Sequence, residues 1–506
     1  RAAQVLQALS PHDLRGQAFH HEQAGHRQAA LEYYVQAARQ EMERFAYHAA
    51  RELLHQAWAL ADDAVTPLQV DIWILLAQIA DVLGQRAEAE QAVIQALRLA
   101  RALGLPQQQA CAQYTAGLLA TKTGQHTEAA VYFEQALKLA QAHDEALLAL
   151  DILLAWGELA IRGGDMATAH RHFAEARGLA RRIQAPAQEA EALDGLGFIY
   201  PALGKAPEEA ERALRQALAL RRAIGDRLGE ARTLSNLTSL LQSRGAHDQA
   251  LRMGEEALAQ NEAVGNRRGL AATQGAMGLA ASALGDFAAA TRFLQAARNI
   301  LEELDDVVGV TIAIANLGLV AERANHLDEA ARLYREALDL AVAHEATLFA
   351  AMARHDLARV GIKQGKWQEA LALLSLAEGY FQETGDRLYT QSCHTLRGRA
   401  LLALGRQDQA CRLAEACWQA WQEGGLTGDL LADWLWHLAE LLAALGETPR
   451  ARQVIAAAHA HLEATAAVIQ DETRRRAFFE GVYVHRCIQE AYRKGGQHAL
   501  KHWEAP

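Results

Sequence analysis

Hydrophobic residues recur at helical spacing along almost the whole chain. Residues 275–297 read GAMGLAASALGDFAAATRFLQAA, in which apolar side chains return every three or four positions, as expected for a helix with one buried face. Gly275, Gly278 and Gly285 interrupt this segment, although each destabilises a helix by roughly 1 kcal/mol relative to Ala. Glycines in such a strongly helical segment indicate turns or close contacts between helices.

A repeat of 40 residues, twice lengthened to 41, accounts for most of these glycines. One position is Asn325 in one copy and Gly in the other nine, which are Gly84, Gly124, Gly164, Gly204, Gly245, Gly285, Gly365, Gly405 and Gly446. Ala lies five residues later (six after Gly204) and again seven residues beyond that, where Cys417 is the one exception. Because a small residue also lies seven positions before each turn, the sequence predicts ten helical hairpins.

Each repeated position has a simple physical role. Gly285 ends a helix, because the residue after a helix adopts a left-handed conformation that Gly and, less often, Asn tolerate. Asp286 then caps the next helix, and the small residue Gly278 lets two helices approach closely. Gly275 lies on neither position, and we expect it to remove bulk from the wall of a groove.

The repeated positions occur together with an aromatic residue. Residues 196–218, LGFIYPALGKAPEEAERALRQAL, carry the small, turn and Ala positions, and Ala129 with Phe133 and Ala330 with Tyr334 supply an A-x-x-x-F/Y element. This combination resembles the tetratricopeptide repeat (TPR), although the period exceeds the usual value of about 34 and the terminal Pro is missing. The longer form is similar to the sensor arms of bacterial STAND-type regulatory ATPases, such as the maltose-regulon activator. The resemblance implies an all-α, TPR-like α-α superhelix (solenoid) of about ten hairpins with helical caps.

The regularity of the repeat divides the chain into three parts. Residues 1–62 hold degenerate helical repeats, residues 63–461 hold the ten regular repeats, and residues 462–506 leave the register as a helical cap. The resemblance implies that the first part links the array to an upstream nucleotide-binding domain. Since the sequence does not start with Met, we expect a fragment of a longer protein.

Composition and charge narrow the classes of function. A formal net charge of −11 argues against direct nucleic-acid binding, and no apolar run approaches the roughly 18 residues of a membrane span. The five cysteines are dispersed and form no C-x-x-C pair, which disfavours a disulfide framework or a zinc site. We therefore expect a cytoplasmic protein with neither nucleic acid nor membrane as its partner.

The sequence lacks the motifs of common catalytic sites. It contains no phosphate-binding G-x-x-x-x-G-K-[ST] and no nucleophile G-x-S-x-G. HEQAGH at 21–26 has one residue too many for a metalloprotease helix, on which His21 and His26 would point about 140° apart. Arg474, Arg475 and Arg476 are expected to be solvated or to contact a partner domain. The sequence thus predicts no enzyme, no cofactor and no metal.

The first helix of each hairpin lines the concave groove in the TPR family, and the family's groove positions select the candidate ligand contacts. In the middle of the array these are Asp194, Phe198, Arg232, Asn236, Gly275, Asn316, His355, Arg359 and Arg399. The same positions also include Glu322, Arg323, Asp356, Lys363 and Asp433. Early repeats supply mostly carboxylates and later ones mostly basic groups, which suits a zwitterionic or peptide-like ligand. We expect Arg359 and Arg399 to face solvent in the empty groove, available for a carboxylate or phosphate.

Two functions remain open on this basis. The first is a non-catalytic ligand- or protein-recognition (sensor) domain of a larger bacterial signalling ATPase or transcriptional regulator, with a small-molecule, peptide or protein inducer in the groove. The alternative is a free-standing TPR adaptor or scaffold that binds peptides of partner proteins. No residues support an enzyme domain.

Overall fold

The computed structural model describes residues 13–61, 66–204, 206–426, 428 and 430–495. These residues form α-helices and no strand, as predicted. Before the regular repeats lie α1 (Leu14–Gln23), α2 (Arg27–Glu43) and α3 (Tyr47–Ala59). The first regular repeats contain α4 (Pro67–Val82), α5 (Arg86–Ala102), α6 (Pro106–Lys122), α7 (His126–Ala142), α8 (Ala146–Arg162), α9 (Met166–Arg182), α10 (Pro186–Ile199) and α11 (Pro207–Ile224).

The remaining helices follow with the same spacing. They are α12 (Arg227–Ser243), α13 (His247–Ala263), α14 (Arg267–Ala283), α15 (Phe287–Glu303), α16 (Val307–Arg323), α17 (Leu327–Ala343), α18 (Thr347–Lys363), α19 (Trp367–Thr384), α20 (Arg387–Ala403), α21 (Gln407–Glu423), α22 (Leu431–Ala444) and α23 (Thr448–Ala466). Two shorter helices complete the described chain, α24 (Glu472–Gly481) and α25 (Tyr483–Arg493). Helices α4 to α23 alternate as the two arms of successive hairpins, which confirms the all-α solenoid fold. No helix within the described residues is both long and apolar enough to cross a membrane.

The turn residues behave as their chemistry predicts. Gly285 has a φ of 79° and Asn325 a φ of 63°, both in the left-handed region. At the first of these turns, the backbone N–H of Asp286 donates to the Ala281 carbonyl at 3.0 Å. The Asp286 carboxylate in turn accepts from the backbone N–H of Ala289 at 2.9 Å. The turn therefore satisfies backbone groups at the end of α14 and at the start of α15.

The small position before each turn is a packing position. A Cβ at Gly278 would lie 2.6 Å from Cγ of Leu294, and one at Gly117 would lie 2.6 Å from the ring of Phe133. Such distances leave no room for a methyl group, so the small residue admits the large side chain of the second helix. At Gly275, by contrast, a Cβ would meet no atom within 4 Å.

The chain divides into two compact units, Arg1–Leu220 and Arg221–Pro506. In the first unit the geometry expected for His21 and His26 is wrong: their Nδ1 atoms lie 3.3 Å apart. The reason is that α1 ends at Gln23, and a turn through Gly25, whose φ is 76°, places His26 at the start of α2. The angle between side chains of one continuous helix does not apply to them.

Candidate ligand-binding cavity

The second unit contains a cavity of about 250 Å³. Its walls come from α14, α16, α17, α18, α20 and α22, from Leu430 just before α22, and from the junction of α24 with α25. Most of the lining is apolar and includes Ile312, Leu319, Phe349, Met352, Val482 and Val484. An apolar cavity of about 150 Å³ admits benzene, so this one has room for a larger organic molecule.

Four charged side chains on the cavity wall compensate one another. Glu322 accepts hydrogen bonds from Arg359 Nε at 2.8 Å, from Arg359 Nη2 at 2.7 Å and from Lys363 Nζ at 2.8 Å. Arg359 Nη1 lies 2.9 Å from the carboxylate of Asp356, which is also 2.9 Å from His355 Nδ1. The two carboxylates and the two basic groups therefore form one neutral network, which helps to hold α16 against α18.

The pKa values of this network follow from burial and pairing. Burial alone would raise the pKa of Glu322, but the charges and hydrogen bonds of Arg359 and Lys363 outweigh it and hold that pKa well below its usual range. Burial would likewise lower the pKa of Arg359, whereas Glu322 and Asp356 raise it well above its usual range. Glu322 and Arg359 therefore both stay ionised around neutral pH.

Three other polar side chains on the wall have bonding capacity left. Arg323 on α16 donates to Ser282 Oγ at 3.3 Å. Asn316, also on α16, and Asp433 on α22 make no hydrogen bond or ion pair with any residue that the structure describes. All three side chains are partly exposed, so a ligand in the cavity can reach them.

The expectation that Arg359 and Arg399 face solvent is wrong. Their side chains are only 4% and 5% exposed. Arg399 Nη1 lies 2.8 Å from Glu440 and 2.5 Å from His437 Nδ1, both on α22, as Arg359 reaches Glu322 on α16. Because the first helices of neighbouring repeats pack side by side, each arginine meets a carboxylate on an adjacent first helix before it reaches solvent. Burial of a guanidinium requires such a partner.

Of the nine candidate ligand contacts, Asn316 and Arg359 line the cavity. His355 is fully buried behind it, with Nε2 2.7 Å from Ser392 Oγ, so it supports the network through Asp356. Gly275 lies on α14 with open space at its Cβ position.

The other candidates lie on earlier helices. In the second unit, Arg232 is exposed and Asn236 half-buried on α12. In the first unit, α10 carries Asp194, which is buried, and Phe198, which is 59% exposed. Only some of the candidate ligand contacts therefore line the cavity.

Carboxylates on the first unit lie close enough to affect one another. Burial and the charge of Glu191 raise the pKa of Asp151 to about 6. Burial, followed by the charges of Asp151, Glu191 and Glu158, also raises the pKa of Tyr114. The neighbouring carboxylates therefore add to burial in disfavouring further negative charge at these two groups.

The sequence analysis missed the part of the wall that the C-terminal helices supply. Val482, Tyr483 and Val484 all line the cavity, yet they lie outside the repeat register. The amphipathic segments after residue 461 indicated only that helices continue. Nothing in a 40-residue period shows where a segment outside that period will pack.

Close contacts dock these C-terminal helices onto earlier repeats. Arg474 on α24 forms an ion pair with Asp248 on α13, whose carboxylate is 1% exposed and also pairs with Arg252. The carbonyl oxygen of Ala477 approaches Gly285 so closely that a Cβ there would lie 2.8 Å away. The arginine run thus contacts the same chain, at least through Arg474.

Neutral histidines accompany this docking. Burial is the main reason that the pKa of His247 on α13 falls to about 3 and that of His485 on α25 to about 4. The charge of Arg323 lowers both pKa values further, and His461 lowers that of His485. A hydrogen bond with the Phe478 carbonyl at 2.9 Å and the charge of Asp433 act on His485 in the opposite direction.

Models of the tetratricopeptide repeat match sequence in both units. One matches residues 188–263 and 269–341, which carry α10 to α17, and another matches residues 112–143, which carry α6 and α7. No curated protein matches the sequence.

Several solved structures are similar to this chain. The STAND protein with a tetratricopeptide repeat sensor from Pyrococcus horikoshii is 13% identical, with a TM-score of 0.48 over 76% of this chain and 55% of that chain. The apo form of the quorum sensor NprR from B. thuringiensis is 16% identical, with a TM-score of 0.47 over 79% of this chain and 99% of that chain. Yeast Tom70 is 13% identical, with a TM-score of 0.37 over 94% of this chain and 99% of that chain.

Similarity this distant assigns no ligand. The matched repeats, the left-handed turn residues and the packing glycines agree with one another, however, along both units. The chain carries an array of tetratricopeptide repeats, a fold that generally serves as a non-catalytic scaffold for recognition of proteins or ligands.

Proposed function

We propose that this protein is the sensor domain of a larger bacterial signalling ATPase or transcriptional regulator, and that its inducer binds in the cavity of the second unit. The observation that carries the proposal is the cavity itself, which combines an apolar lining with a few convergent polar groups. Ligand sites in proteins have this composition. Asn316, Arg323 and Asp433 would orient the ligand, and the Glu322–Arg359 network would keep the wall rigid.

A thermal-shift screen of metabolites, peptides and candidate partner proteins tests the binding site. A ligand that binds only the folded state raises the melting temperature by mass action. Ala315 lines the cavity, so Ala315→Phe should fill it and abolish the shift. Ala343, exposed at the end of α17, offers Ala343→Phe as a matched control that should keep the shift. A ligand whose shift survives Ala315→Phe binds elsewhere and would contradict the proposal.

Attachment to a nucleotide-binding domain is the second part of the proposal. The similarity of the 40-residue repeat to the sensor arms of STAND-type ATPases supports it. The coding sequence upstream of Arg1 provides the test, since it should encode a phosphate-binding loop. A reading frame without such a module would favour the free-standing adaptor that binds partner peptides.

A further inference from the structure

The charged side chains on the cavity wall fall into two groups, one paired within the protein and one with hydrogen-bonding capacity left for a ligand. Glu322, Asp356, Arg359 and Lys363 neutralise one another through contacts of 2.7–2.9 Å. A ligand that competed for any of these groups would leave its partner buried without compensation, which is unfavourable. Only the remaining polar groups of the wall can therefore bind a ligand without that penalty.

Arg323 and Asp433 are the oppositely charged members of that remainder. Arg323 donates one hydrogen bond, 3.3 Å long, to the neutral Ser282 hydroxyl. Most of its five N–H donors therefore stay available. Asp433 accepts no hydrogen bond from any residue in the described ranges. The two side chains line the same cavity from α16 and α22 but form no ion pair with each other within the described residues.

The two charges also have a common neighbour. Both act on the His485 imidazole, Arg323 lowering its pKa and Asp433 raising it. Because these opposite charges on one wall do not pair with each other, a ligand that carries both a cationic and an anionic group can pair with each of them. The apolar side chains of Leu319, Phe349 and Met352 line the same cavity.

This geometry points to the chemical class of the ligand. Resting on the proposed function, we propose that the cavity binds a zwitterion with an apolar body, whose ammonium group pairs with Asp433 and whose carboxylate pairs with Arg323. An amino acid with a bulky apolar side chain and a dipeptide of apolar residues share this chemistry. The half-buried amide of Asn316 offers a donor and an acceptor to the polar atoms between the two charges.

Calorimetric titration of matched probes tests the two charges separately. Phenylalanine and leucyl-leucine carry both charges, phenethylamine carries only the ammonium group, and hydrocinnamate carries only the carboxylate. Loss of a buried charge-assisted hydrogen bond weakens binding by about ten- to a hundredfold. At least one zwitterion should therefore bind more tightly than both single-charge analogues by about that factor. The better of the two zwitterions distinguishes the amino acid from the dipeptide.

Variants assign each charge to its residue. Asp433→Asn should weaken binding of the zwitterion about as much as removal of the ligand's ammonium group does. The same substitution should leave the affinity for hydrocinnamate unchanged. Arg323→Gln should show the converse pattern, and Arg323→Lys should restore part of the affinity because it keeps the charge. Melting curves of the ligand-free variants show whether each one is folded. If Arg323→Gln is not folded, Arg323→Lys takes its place in the test.

The outcomes separate this inference from the proposed function. Three results would overturn the inference. They are equal affinity for zwitterions and single-charge analogues, no binding of either zwitterion at millimolar concentration, and affinities that neither variant changes. A non-zwitterionic ligand that loses binding in Ala315→Phe would overturn it as well, while leaving the proposed function intact. A zwitterion that binds equally well to Ala315→Phe would refute both.

Discussion

Arg474 forms an ion pair with Asp248, a residue 226 positions earlier in the chain. The pair joins α24 to the first turn of α13, and the helix that follows α24 begins with residues of the cavity wall. A contact between such distant segments therefore helps to determine whether the cavity is closed.

Replacement of Arg474 by Ala should loosen the C-terminal helices without unfolding the repeats. Asp248 keeps Arg252 as a partner, so we expect a loss of about 1.5 kcal/mol, at the low end for a hydrogen bond to a charged group. Hydrogen exchange in α24 and α25 should accelerate. Arg475→Ala is the matched control, because Arg475 pairs with the exposed Glu472 on its own helix and should have little effect. Unchanged exchange in Arg474→Ala would show that the ion pair does not hold the segment.

Gly285 should be more sensitive to substitution than other turn glycines. Gly285→Ala and Gly265→Ala both place a side chain at positive φ, 79° and 68° respectively, which costs roughly 1–2 kcal/mol. Only Gly285 also meets a neighbour, the Ala477 carbonyl, since no atom lies within 4 Å of a Cβ at Gly265. Gly285→Ala should therefore melt at the lower temperature and expose α24 to hydrogen exchange. Equal melting of the two variants would contradict the close approach of α24.

Loss of Arg359 should destabilise the protein strongly, because Glu322 and Asp356 would lose their main partner. Breaking a buried ion pair costs about 3–5 kcal/mol, so the urea midpoint of Arg359→Ala should fall markedly. Arg332→Ala provides the contrast, since the Arg332 side chain is 65% exposed and its contact with Glu336 spans 3.5 Å. That variant should change stability by less than about 1 kcal/mol. Similar midpoints for the two variants would place Arg359 in solvent after all.

Stability should decline as the pH falls below about 6.5. The folded-state pKa values of His247 and His485 are about 3 and about 4, whereas an unfolded histidine titrates near 6.5. The unfolded chain therefore binds more protons between these values, and each group contributes a loss of up to about 1.4 kcal/mol per pH unit. The contribution is fully present above the unfolded pKa and disappears towards the folded one.

His485→Gln should make this pH dependence shallower, because it removes one titrating group while glutamine can still donate to the Phe478 carbonyl. Melting temperatures measured from neutral pH to pH 4 provide the test. A curve identical to that of the parent would mean that the pKa of His485 is the same in the folded and unfolded states, so that its imidazole is not buried in the folded protein.

The repeat architecture was predictable because its rules are local and recur many times. The conformation of Gly285 and Asn325 and the packing of Gly278 against Leu294 each depend on residues within one hairpin, and ten copies of the pattern remove ambiguity about the register. The family positions also selected Asn316, Arg323 and Asp433, which line the cavity.

The burial of Arg359 depends on a different kind of relationship. The position of Arg359 on its helix gives the direction of the side chain, but its solvent exposure depends on Glu322 in the preceding repeat, 37 residues earlier. A search for opposite charges at about one repeat length along groove positions would have found this pair. No such search would have found the Asp248–Arg474 pair, because Arg474 belongs to no repeat.

The docking of α24 onto α13 and α14 also limits how this protein can evolve. Open stacks of repeats gain or lose copies by gene duplication, since each copy contacts only its neighbours. In the second unit, an extra copy between α15 and α22 would carry α24 away from Asp248 and Gly285. The number of repeats between these contacts is therefore constrained by geometry, and lineages of this protein should vary in loop sequence there more readily than in repeat number.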